Sequence, residues 1–495
     1  MTSSAQTIKI WPGQGVGNGI TYGADVKLTI FQIIRDGDIN AVNNKFKKNL
    51  KMDLVRVPFI AHWGVGDNRY DEIRDYMINA ESKGMKLFLS VANTDGTLNN
   101  SNLLRGAERE EKFAGWLKNG TGVYNININR YKNYVEDVID ELEKTSGGSN
   151  ATVDYIGLWN EDNAKEGDYP NLSKPIVGYE PYALQDGINR YGSTSSSFPA
   201  YDGIKNKIAV AGSHDYSNTY PSAVNDWKTF ASKGNKPEWF TETTKFAKST
   251  AEGIAHMLPA ISAGLEKMII YQAVPRIVTK SGGNGTHYNA TKRLIDHSQG
   301  KGSARRIEYV GNNKNGITAA FRNSNAVYNA LEIHLSNVAS GQKTYYINLQ
   351  QGYKISNVFQ QKYGGNVSTQ IKNNGAQIQI TIAGKTYVHL TCTGLSTARL
   401  ANDIEQDEEF VEFATRLYPN PSNSGVFMLL LPDYDGFEGN VKLDLIDLQG
   451  KQVDSQELPY SSSLKLNYNI FPRGLYMLRV QVNGVQVTRR VTIGS

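Results

Sequence analysis

Val153-Asp-Tyr-Ile-Gly-Leu-Trp-Asn-Glu161 is a short apolar and aromatic run that stops abruptly on an amide and a carboxylate. Apolar side chains on both faces suit a strand covered from both sides, as in a parallel sheet. Parallel strands need long crossover connections, and the flanking sequence supplies helices for them. Residues 39–50, 71–83 and 131–144 read as amphipathic helices, and 53–59 and 85–91 as the strands between them. This alternation predicts an α/β fold, a (β/α)8 TIM barrel over residues 1–304, in which polar side chains at strand C-terminal ends carry the chemistry.

The remaining barrel elements are less regular. Residues 1–23, with Gly13, Gly15, Gly17 and Gly19 alternating, read as a turn-rich first strand region. No strand precedes these glycines, so a dinucleotide loop is excluded. Residues 162–206 are rich in Gly, Pro, Ser, Asn and Tyr, and only 207–213 beyond them form a clear strand. It is strand six if strand five lies near 175–177, or strand five if strand six lies near 227–230. Pro237-Glu-Trp-Phe-Thr-Glu242 is a second short strand ending in a carboxylate, followed by a helix over 251–264 and a last strand over 267–273. A glycine-rich loop, 275–290, and a helix over 290–297 complete the barrel.

From residue 306 the periodicity changes to short alternating strands separated by turns, which predicts an antiparallel β-sandwich over 305–400. Residues 401–415 read as an acidic linker and 416–495 as a further small β-sandwich.

A net charge of +5 over 495 residues gives no argument for nucleic acid, although it would tolerate an anionic polysaccharide. No apolar run reaches the roughly 18 residues of a membrane span. Met1-Thr-Ser-Ser-Ala-Gln-Thr has no apolar leader core. The single cysteine, Cys392, excludes an intrachain disulfide and reads as a buried inert thiol. The histidines are scattered, without His-x-x-x-His spacing or a cysteine pair, so neither a metal nor another cofactor is expected. The 28 tyrosines suit a surface that stacks on sugars.

Trp159-Asn160-Glu161 and Trp239-Phe-Thr-Glu242, in this order and each closing a strand, resemble the fourth-strand and seventh-strand motifs of clan A glycoside hydrolases, most nearly those of families 30 and 59, the latter including galactocerebrosidases. The resemblance implies a retaining glycosidase that cleaves β-linked polysaccharide by double displacement. Glu161 would be the acid/base, Glu242 the nucleophile, and Asn160 a donor to the sugar 2-hydroxyl. Asp162, Glu166 and Glu238 are rivals, the first two further into a loop and the third at the opposite end of its strand. Arg56, a charge inside the apolar Val55-Arg-Val-Pro58, needs a carboxylate partner. The clan places such an arginine beside the nucleophile; a structural ion pair in the barrel floor is the alternative.

His214 and Tyr216 resemble the clan's strand-six His-x-Tyr, though a turn histidine would read the same. His62 and Trp63 are candidates for a sugar subsite or for packing. The clan usually sets a tryptophan from strand eight under the sugar, and here Tyr271 stands in that strand. Leu417-Tyr-Pro-Asn-Pro421, Leu445-Ile-Asp-Leu-Gln-Gly-Lys451 and Gly474-Leu-Tyr-Met-Leu-Arg-Val480 resemble the C-terminal sorting domain of type IX secretion in Bacteroidota, which implies export and the secretion machinery as a partner. The chain is expected to act as a monomer. A non-catalytic carbohydrate-binding barrel and a barrel lyase or isomerase are the competing readings.

Overall fold

The computed structural model describes residues 6–10, 20–92, 113–120, 125–161, 164, 166–190, 204–216, 226–227, 229–230, 236–243, 246, 248–298, 307–310, 316–322, 330–348, 353–362, 369–374, 377–394, 416–418, 420, 422–431, 439–461, 463–482 and 485–494. The rivals' Asp162, the glycines at 13–19 and the acidic stretch 401–415 lie outside them.

Eight parallel strands form one sheet in chain order: Thr21–Asp25, Leu54–Phe59, Lys86–Val91, Val153–Gly157, Val177–Tyr179, Val210–His214, Glu238–Thr243 and Lys267–Ile270. The first pairs with the eighth, and a parallel bridge between Ile156 and Ile176 joins the fourth to the fifth, so the sheet closes into a barrel. Strand five is therefore Val177–Tyr179 and strand six Val210–His214, while the described parts of 226–230 are helical. Leu54, Phe88, Val177, Val210, Trp239 and Ile269 pack inside the barrel. A larger apolar layer lies between strands and helices.

The helices form where the sequence places an apolar stripe behind a cap. Ile128–Leu142 buries Tyr131, Tyr134, Val135, Val138, Ile139 and Leu142, a helical spacing, and the Asn127 side chain accepts from the Arg130 amide. Thr250–Ala263 starts on Ser249, which accepts from the Glu252 amide, and ends on Gly264 at φ +90°, a left-handed closure that glycine makes without strain. The predicted loop 275–290 instead has helix at both edges, Ala273–Arg276 and Tyr288–Asp296, because the last strand stops at Ile270.

The N-terminus departs from expectation. Gln6–Ile10 pairs antiparallel with Ile307–Val310 and parallel with Lys343–Asn348, so it belongs to the β-sandwich and the barrel begins at Thr21. An exposed five-residue strand carries its own backbone donors and acceptors, and the sandwich edge satisfies them. The sandwich has a five-stranded and a four-stranded sheet. It docks on the barrel through Ser336, whose hydroxyl donates to the Ala251 carbonyl (2.5 Å), and through the Lys385–Glu252 pair (3.0 Å). Cys392 is buried in its strand Thr386–Gly394.

A second compact unit, Lys354–Val358 with Ala398–Ser495, holds a three-stranded and a four-stranded antiparallel sheet. Phe427, Leu429, Leu443, Leu445, Leu478 and Val480 fill its core from alternating strand positions. No described helix is long and apolar enough to cross a membrane.

Candidate active site

Glu161 stands just past the fourth strand, on a chain segment fixed from both sides. The Trp159 ring packs against Phe113 and Tyr131, and the Tyr131 hydroxyl donates to the Leu158 carbonyl at 2.7 Å. Glu161 itself adopts φ +64° and its amide donates to the Glu180 carbonyl (2.9 Å). A left-handed backbone at a residue with a Cβ costs on the order of 1–3 kcal/mol. Glu180 (φ +55°) and Gln272 (φ +49°), at the ends of strands five and eight, share this conformation.

Glu242 reaches the interior through a break in pairing. Trp239 points inward, against Phe88 and Tyr155, and Phe240 outward, against Trp227 and His256. Strict alternation would send residue 242 outward with Phe240. The pairing with strand eight slips between Phe240 and Thr243, and with strand six between Ser213 and His214, which turns Glu242 to the inside.

The two carboxylates meet across His214. Its Nδ1 lies 3.2 Å from Glu161 Oε1 and 3.7 Å from Glu242 Oε2, and the three side chains have ligating atoms within 4.8 Å of one another. Arg56 Nη1 donates to Glu242 Oε1 (2.5 Å) and Asp25 Oδ2 (3.1 Å); its Nη2 donates to Ser90 (2.9 Å), Asn160 Oδ1 (3.0 Å) and Glu180. Lys27 Nζ donates to Glu242 Oε1 (2.9 Å) and Asn160 Oδ1 (2.7 Å). Two cations on the Asn160 oxygen fix the amide so that its N–H2 group faces away from them. The Tyr216 hydroxyl donates to Glu242 Oε2 (2.5 Å), and Tyr216 stacks on Tyr182.

These neighbours set the charges. Burial alone would raise the Glu242 carboxyl, but His214, Lys27, Arg56 and the Tyr216 hydroxyl together hold it well below the usual carboxylate range. Burial pulls His214 down, yet Glu242, Glu161 and Glu180 outweigh it and push its pKa up to about 9. Glu180 is lowered, with burial opposed chiefly by Arg56, while burial keeps Asp25 raised despite Lys27 and Arg56. The site thus holds an ionised Glu242 beside an imidazolium.

Of the residues singled out in the sequence, Glu161, Glu242, Asn160, Arg56, His214 and Tyr216 converge here. Tyr271, just past strand eight, lies near enough that Glu242 raises its hydroxyl, second to burial. Trp63 is a correction to the subsite expectation. It is 4% exposed, enclosed by Phe31, Tyr70 and the Arg69 guanidinium 3.6 Å over its ring, so it packs and does not open onto a cleft. His62 stands edge-on to it. Glu166 is exposed in a 3-10 turn, and Glu238 sits at the far end of its strand beside Glu266.

Asp25, Lys27 and Glu180 were missed. Asp25 and Lys27 interrupt the apolar run 20–31, the same sign that marked Arg56; Glu180 follows a three-residue strand too short to stand out.

Among the described residues two clusters have the donor types of a cation site, Glu161 with His214 and Glu242, and His297 with Glu332 and His389. In the cluster of His297, Glu332 and His389, Arg293 Nε donates to His389 Nδ1 (2.8 Å), leaving the proton on the Nε2 that faces Glu332 (2.8 Å).

The barrel and its strand-end carboxylates define a class of fold that a solved structure shares. A family 30 endoxylanase from Clostridium papyrosolvens C71 superposes with a TM-score of 0.51 at 14% identity, over 79% of this chain and 100% of that one. The catalytic domain of family 30 xylanase C from Talaromyces cellulolyticus gives 0.48 at 15% identity over 78% and 100%, and an endo-β-1,6-glucanase 0.45 at 12% over 79% and 95%. No curated protein matches the chain by sequence. Residues 416–494 match the model of the secretion system C-terminal sorting domain, which marks the chain for export by the type IX system to the cell surface or beyond.

Proposed function

We propose that the chain is a secreted retaining glycoside hydrolase that cleaves β-linked polysaccharide, with Glu242 as nucleophile and Glu161 as acid/base. The observation that carries this reading is the approach of the two carboxylates to within 4.8 Å at the same end of the barrel. Retaining enzymes hold the pair about 5–5.5 Å apart, whereas inverting ones leave about 6.5–9.5 Å for a water between them.

Glu242, kept ionised, attacks the anomeric carbon while Glu161 protonates the departing oxygen, and a glycosyl ester forms on Glu242. Water, deprotonated by Glu161, then releases the sugar with its original configuration. His214 holds one Glu161 oxygen at 3.2 Å and so aims the other at the glycosidic oxygen. The Asn160 N–H2, oriented by Lys27 and Arg56, serves the sugar 2-hydroxyl, a contact that tightens as positive charge develops at the ring. The neighbours' names indicate xylan and β-1,6-glucan as the first substrates to try.

Proton NMR of the first product released tests the mechanism: a β-anomer that only later mutarotates is expected. An α-anomer as first product would refute retention, and binding without any cleavage across β-linked glucans, xylans, mannans and galactans would favour a carbohydrate-binding barrel.

A further inference from the structure

Tyr182 stands just past strand five with 50% of its surface exposed, while Tyr22, Tyr70, Tyr76, Tyr131 and Tyr179 of the same barrel are fully buried. Its ring lies parallel to that of Tyr216, with centroids 4.7 Å apart and planes 7° apart. The backbone holds this pose. The Tyr216 amide donates to the Tyr182 carbonyl (3.2 Å) and the His214 amide to the Pro181 carbonyl (3.2 Å). One face of the Tyr182 ring is covered by Tyr216, so the exposed half is the opposite face and edge. The covered face is one ring away from the hydroxyl that donates to Glu242 Oε2 at 2.5 Å.

We propose that the open face of Tyr182 is a stacking platform for a second pyranose of the polysaccharide chain, beside the unit that occupies the Glu161–Glu242 pair. This rests on the glycosidase reading above. A tyrosine needed only to brace Tyr216 would gain by burying its outer face; this one keeps that face in water. The aromatic face is electron-rich and meets the polarised C–H face of a sugar ring without hydrogen bonds to satisfy. Equatorial hydroxyls leave such a face clear, so gluco- and xylo-configured β-linked oligosaccharides are the probes used. The main-chain bonds fix the ring in advance, so little ordering is lost when the sugar arrives.

The test compares wild type, Tyr182→Ala, Tyr182→Phe and Tyr182→Trp in the full chain, on cello- and xylo-oligosaccharides of increasing length. In wild type KM should fall once the substrate is long enough to cover the platform. Tyr182→Ala should lose that gain, raising KM about three- to tenfold for long substrates with kcat little changed, and the Phe and Trp variants should restore it. A drop in kcat at unchanged KM on every length would make Tyr182 a brace for Tyr216 and overturn the proposal, as would no change at all. Calorimetric binding of the same oligosaccharides to Glu161→Gln protein, with and without Tyr182→Ala, separates the two readings. Absence of cleavage across the β-linked glucans, xylans, mannans and galactans named above would remove the hydrolase reading, while equal affinity with and without the ring removes the platform whether or not any substrate is cleaved.

Discussion

Arg56 donates to Glu242 across 186 residues of chain at 2.5 Å, with neither side chain more than 3% exposed. The same guanidinium also serves Asp25 and Glu180, so one cation ties strands one, five and seven to a common centre. Substitution by methionine leaves three buried carboxylates without it. Breaking a buried ion pair costs about 3–5 kcal/mol, which corresponds to a fall of about 10 °C in the barrel's thermal midpoint. Arg56→Lys keeps the charge but not the fork and should recover only part of the loss. Differential scanning calorimetry at pH 7 reads both; a midpoint within a degree of wild type for Arg56→Met would contradict this account.

Glu161→Ala removes the proposed acid. The kcat/KM of substrates with poor leaving groups should fall about 10²–10⁴-fold, and that of activated aryl glycosides far less, while kcat falls for both because the second step loses its base. Added azide, a small nucleophile that needs no base, should then restore turnover with a β-glycosyl azide as product. Glu242→Ala should be inactive on both and, with azide, give the α-azide. Identical azide products from the two variants would show the roles to be misassigned.

His214 gives a pH dependence whose direction is fixed by its neighbours. Its pKa in the fold, about 9, lies above the ordinary imidazole value of 6.5. The folded state therefore binds the proton more tightly, and the contribution is full below about 6.5 and lost as pH rises through 9. Deprotonation also removes the cation between Glu161 and Glu242. His214→Asn should flatten the loss of thermal midpoint between pH 7 and 10. An unchanged slope in that variant would assign the titration elsewhere.

Glu238, at the end of strand seven away from Glu242, gives a pH dependence of the same direction over a lower window. Burial, helped by Glu266, pushes its carboxyl up to about 8. A carboxyl raised in the fold favours the folded state only while protonated, so its contribution declines from about pH 4.5 upward and is gone above 8. Glu238→Gln should therefore raise the thermal midpoint at pH 9 and leave it nearly unchanged at pH 4. Equal shifts at both values would show that packing, and not charge, is responsible.

Local pattern was enough for the α/β barrel, the change to sandwich strands after residue 306 and the two strand-end motifs, because burial on both faces and polar punctuation are written into consecutive residues. It was not enough for strand five. Val177–Tyr179 is three residues long and is held by pairing to strand six and a bridge to strand four, contacts with no trace in its own composition. The N-terminal strand likewise took its place from a partner about 300 residues away.

The sequence by itself determined which residues were available: Arg56 as a charge that could not be buried alone, and Glu161 and Glu242 at ends of apolar strands. Only the tertiary structure decided what each would face. Closure of the sheet brought Asp25, Lys27 and Glu180 to the same centre, slipped pairing turned Glu242 inward, and packing sealed Trp63 away from any cleft. Side-chain direction and charge state are set by neighbours distant in the chain, and a carboxylate's electrostatics exist only once those neighbours are a few ångströms away.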